Sequence, residues 1–219
     1  MIDMRSIQKV EMNDGRTALR FDVAVSLDDV STHADVPEIL REALSGAVSW
    51  QQRNETSLAR FLAGANQFPA FVLTLLACGA SVQMGDAELD LNSYLTVKQS
   101  EKAAALLIPV NISDRKLAAA RVALTPAGED IVRAAAGVVL EGGIVTSARL
   151  ALSGVWGGRQ WLSAAADGLV GAALTDEAIQ AAVQAVQAEV DPPADHLGSA
   201  AYRSAMAGVL TRQVLEACR

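Results

Sequence analysis

Residues Ala18–Val25 alternate between apolar and polar side chains. Leu19, Phe21, Val23 and Val25 fall on one face and Arg20, Asp22 and Ala24 on the other, the period of a half-buried β-strand. Asn13-Asp14-Gly15-Arg16 joins this strand to Val10-Glu11-Met12, which predicts a β-hairpin, and Ile2-Asp3-Met4 reads as an edge strand. Ser26-Leu27-Asp28-Asp29 carries a capping-box pattern for a short helix. Asp35 is expected to cap a second helix, with Pro37 in its first turn and Ile39, Leu40, Ala43 and Leu44 as its apolar stripe. The pattern then changes. From Phe68 to Ala80 nearly every side chain is apolar, which predicts a helix buried on all sides and stopped at Gly79. Ser81–Met84 and Ala87–Leu91, around Gly85-Asp86, predict a second hairpin. Asn92 or Ser93 is expected to cap a short turn through Tyr94-Leu95, and Ala103–Val110 reads as an apolar strand. Lys98–Lys102 before it reads as a charged loop, a lid or linker.

A second unit begins near Leu117. Its expected strands are Ala118–Leu124, Ile131–Leu140 and Ile144–Leu152, the last two joined by Glu141-Gly142-Gly143. The alanines of Ile131–Ala136 equally allow a helix; the hairpin signal and the β-branched residues that follow favour strand. Trp161–Val170 is expected to be helical. Thr175 caps a helix with Asp176 and Glu177 in its first turn and Ile179, Ala182, Val183 and Val186 inward. A last helix, Ser199 to Cys218, would turn Tyr202, Ala205, Met206, Val209, Leu210 and Leu215 to the core. The expected fold class is α+β in two domains. Residues 1–112 would form a mixed sheet with helices, and residues 113–219 a three-stranded antiparallel sheet covered on one face by the last three helices.

Charge narrows the function classes. A net charge of −7, with Lys and Arg scattered, argues against a nucleic-acid surface. Cys78 and Cys218 lie far apart and suggest neither a disulfide framework nor a zinc site. The first residues, MIDMRSIQKVE, have no apolar core of a signal peptide, and Phe68–Ala80 is too short to span a bilayer, so a soluble cytoplasmic protein is expected.

Catalytic chemistry has little to hold. His33 and His196 lie in polar loops with no ligand-spaced partners and read as surface histidines. Asp28, Asp29 and Asp191 fit caps and turns better than an acid–base pair, and Ser57 and Ser153 lack the Gly-x-Ser-x-Gly context of a hydrolase. Gly157-Gly158-Arg159 is one loop where an anion could be cradled, although a tight turn explains the same glycines.

The stretch Arg53–Ala80 resembles the flavin-binding segment of the FAD-carrying medium subunit of molybdenum hydroxylases, of the carbon monoxide and xanthine dehydrogenase type. There an Arg-Asn pair leads to a Thr-Ile-Gly-Gly-Asn turn and an apolar helix ending in Gly-Ala. Arg53-Asn54 and Gly79-Ala80 match at the same separation. The turn itself, Thr56, Ser57, Leu58, Ala59, Arg60 and Phe61, has no glycine. Ile2-Asp3-Met4 and Leu19-Arg20-Phe21-Asp22 resemble two strands of the second FAD subdomain. Val145–Val155, then Asp191-Pro192, Gly198–Arg203 and Gly208-Val209-Leu210, resemble the family's C-terminal domain. In the family a first FAD subdomain, with an Ala-Gly-Gly-Thr diphosphate loop, precedes the strand that Ile2-Asp3-Met4 resembles; the expectation is that this subdomain is missing here, through a true loss or a truncation.

The resemblance implies a second-FAD-subdomain-like unit followed by a CO dehydrogenase flavoprotein C-terminal-like unit. It also implies an iron–sulfur small subunit and a molybdopterin large subunit as partners. Without glycine in the turn, the expectation is no FAD, no catalytic or metal residues, and a structural or docking role, with self-association as a further way to assemble. The alternative is a true FAD-dependent electron-transfer subunit. Phe61 is expected to close the vacated space by extending a helix back from Phe71 through Leu62; a sharper option is that Arg60 binds a different anion there.

Overall fold

In the computed structural model the described residues are 7–96, 102–110, 115–125, 128–157 and 161–219. The Ile2-Asp3-Met4 strand, most of the 98–102 loop, and Gly158-Arg159 lie outside them. The chain divides into two compact units, Met1–Ile112 and Ser113–Arg219.

In the first unit, β1 (Ile7–Glu11) and β2 (Thr17–Asp22) form the expected hairpin. Gly15 sits at its tip with φ 80, a conformation that glycine adopts without a β-carbon penalty. β2 ends at Asp22, earlier than the alternation to Val25 suggested, because the chain turns there, the Val25 amide bonding Asp22 O at 3.0 Å; the Val23 amide still bonds Ala104 O at 3.1 Å in register with β5. α1 (Leu27–Thr32) starts in the predicted capping box, Ser26 with Asp29. α2 (Glu38–Ser45) does not start at Asp35: Pro37 is its N-cap, with no side-chain bond, and Asp35 instead pairs with Lys9 of β1 at 2.8 Å. Leu40 and Leu44 bury its stripe.

Three short helical segments follow. These are α3 (Trp50–Glu55), α4 (Leu58–Ala63) and a 3-10 turn, Ala65–Gln67, leading into α5 (Pro69–Cys78). Every residue of α5 after Pro69 is buried, and Gly79 stops it in the left-handed conformation at φ 76. The α5 carbonyl end is held from the hairpin. The Arg16 guanidinium donates to Cys78 O at 3.2 Å and Gly79 O at 3.1 Å, placing a cation where the helix dipole is negative. β3 (Ser81–Met84), β4 (Ala87–Asp90), α6 (Leu91–Thr96) and β5 (Ala105–Pro109) complete the unit. Asp90, not Asn92 or Ser93, supplies the bond at the start of α6, accepting from the Asn92 amide at 3.0 Å. The sheet order is β1-β2-β5-β3-β4. Where a mixed sheet was expected, each of its described pairings is antiparallel.

The second unit is a meander of β6 (Arg115–Ala123), β7 (Asp130–Glu141) and β8 (Ile144–Ser153), with residues 131–136 in strand rather than helix. Trp161–Val170 is not an α-helix. Trp161 and Ser163 bond the outer edge of β8, and only Ala164–Leu169 coils, as a 3-10 helix. α7 (Asp176–Glu189) is capped by Thr175 and buries Ile179, Ala182, Val183 and Val186. α8 (Ala200–Ala217) buries Leu210 and Leu215 as expected but leaves Tyr202, Ala205 and Val209 exposed and Met206 only partly covered. Its inward line begins one position later, at Arg203, because a bonded guanidinium rather than Tyr202 takes the first core slot. These helices and the apolar face of the sheet enclose one core.

Candidate functional site

The turn expected to meet a pyrophosphate is the N-terminus of α4. Thr56 ends α3, its amide bonded to Gln52 O at 3.0 Å and its carbonyl to the Leu27 amide at 2.9 Å. Ser57 is the N-cap, and its Oγ accepts the Arg60 amide at 3.3 Å. The Leu58 amide donates to Val25 O and the Ala59 amide to Val23 O, both at 2.8 Å. The Phe61 amide donates to Ser57 O at 2.9 Å. All four amides from Leu58 to Phe61 therefore have protein acceptors. An anion cradle needs such amides converging and free.

The side chains divide by position. Leu58 and Phe61 are fully buried, whereas Ala59 and Arg60 are exposed. Phe61 packs on Phe71 with ring centroids 5.1 Å apart and on Phe68 at 5.8 Å. The expected continuous helix from Leu62 back from Phe71 is broken at Gly64, but the same aromatic side chains meet across the break. Arg53 of the Arg-Asn pair bonds Asp28 at 3.0 Å and Val48 O at 2.8 Å; Asn54 bonds Trp50 O at 2.9 Å. Both belong to the local scaffold.

The other singled-out residues do not come together. His33 stands edge-on to Phe21 at 5.8 Å and accepts the Asp35 amide, while His196 is an exposed loop residue far along the chain. Among the described residues no group of His, Cys, Asp and Glu could hold a metal. No helix of the described residues is long and apolar enough to cross a membrane. An open depression beside β8 is lined by Arg149, Ser163 and Asp167, but the Ser163 hydroxyl and the Ala164 amide are already bound by Glu189. Cys218 is buried, and burial pushes its thiol up to about 11.

One polar centre was missed by sequence reasoning. Arg203, 3 % exposed, reaches Ile131 O and Gly154 O and grips both oxygens of Asp195 at 2.8 and 2.7 Å. The signal was a lone arginine at an inward position of α8. It joins the start of β7, the end of β8 and the loop before α8, so its work is structural. Arg203, then the Leu197 amide, holds the Asp195 carboxyl below its usual range.

Residues 129–218 match the family described as CO dehydrogenase flavoprotein C-terminal domain. The carbon monoxide dehydrogenase medium chain of Afipia carboxidovorans is 39% identical over 89 residues, covering 40% of this chain and 31% of that one. The match thus spans about a third of that curated relative's length. Carbon monoxide dehydrogenase from Hydrogenophaga pseudoflava, in a form lacking the Mo-pyranopterin moiety of its cofactor, superimposes with a TM-score of 0.79. It is 22% identical, over 96% of this chain and 77% of that chain. Reconstituted CO dehydrogenase from Oligotropha carboxidovorans gives 0.76 at 23% identity, over 98% and 79%. Quinoline 2-oxidoreductase from Pseudomonas putida 86 gives 0.76 at 20%, over 96% and 77%. At these identities the solved structures establish the fold alone. By sequence over residues 129–218 and by fold over the whole chain, the protein resembles the medium subunits of carbon monoxide dehydrogenase-type molybdenum hydroxylases.

Proposed function

We propose that this chain is a flavin-free homologue of a molybdenum-hydroxylase medium subunit, acting as a structural or docking subunit beside iron–sulfur and molybdopterin partners. The observation that carries this reading is the hydrogen bonding of the α4 N-terminus. The amides of Leu58 and Ala59 are committed to Val25 and Val23, and those of Arg60 and Phe61 to Ser57. A dinucleotide pyrophosphate would have to break these bonds and displace the buried Phe61 ring. The residues present do not fit the diphosphate of FAD at this turn, so electron relay through a bound flavin is not part of the proposed role.

The test is direct. FAD is titrated against the purified chain while flavin fluorescence is followed, and the visible absorbance of the protein as isolated is recorded. No flavin band and no saturation are expected. Saturable binding at low micromolar FAD would return the chain to the electron-transfer role of an FAD subunit. Co-purification with iron–sulfur and molybdopterin subunits tests the docking half separately.

A further inference from the structure

We draw no further inference here: the strongest candidate, the open depression beside β8 lined by Arg149, Ser163 and Asp167, has its Ser163 hydroxyl and Ala164 amide already committed to Glu189, and nothing among the described residues shows what it would hold.

Discussion

Two turns in this protein, one built on glycine and one without it, are solved in opposite ways. The glycine turn is at the end of β8. Gly154 has φ 78, and a β-carbon there would collide with the backbone of Ile131 and approach the Arg203 guanidinium. At the start of α4 the turn contains no glycine: Ala59, Arg60 and Phe61, none with positive φ, belong to an ordinary serine-capped helix. The difference is one of alternatives. Around Gly154 three segments and a buried arginine converge, so no other backbone path serves. Around Ser57 the amides need only acceptors, and Val23, Val25 and Ser57 supply them. A serine-capped turn whose amides find protein acceptors needs no glycine; a close backbone crossing does.

The sharpest way to break the comparison is Gly154→Ala. Positive φ together with collision against Ile131 should cost about 3–5 kcal/mol, read by urea unfolding through Trp156 and Trp161 fluorescence. A cost under about 1 kcal/mol would mean the crossing can relax and the two turns are alike. Next is Phe61→Ala, which removes a fully buried ring from the Phe68–Phe71 cluster and should cost about 3–4 kcal/mol. The loss should appear as faster amide exchange in α5. Restoring Gly-Gly-Asn at positions 59–61 should destabilise by a similar amount and yield no flavin binding; a gain of flavin would sharpen the turn back into a site. The smallest effect concerns acid. Arg203 lowers the folded Asp195 value below the unfolded one, so the stability it contributes is full above about pH 4. It fades as pH falls through the lower folded value. Asp195→Asn should flatten that acid limb in a pH series of melting temperatures.

Much of the fold was legible because its signals are local. The Asn13–Arg16 turn, the Ser26–Asp29 box, the apolar run into Gly79 and the Thr175 cap each need only a few neighbouring residues. The errors arose where distant groups compete. Asp35 was a plausible cap until Lys9 took its carboxylate, and Trp161–Ser163 had helical composition but found the open edge of β8. Tyr202 and Val209 matched a core stripe until Arg203 claimed the inward slot, leaving them exposed. At the candidate site the sequence by itself determined that glycine is absent from positions 56–61. Only the tertiary structure decided what the turn became. The acceptors at Val23 and Val25 lie more than thirty residues away, on the loop after β2, and no local pattern announces them. Likewise Arg203 of α8 becomes a clamp only when Ile131, Gly154 and Asp195 meet around it. A buried guanidinium is tolerated there because carbonyl and carboxylate oxygens from three segments replace its water.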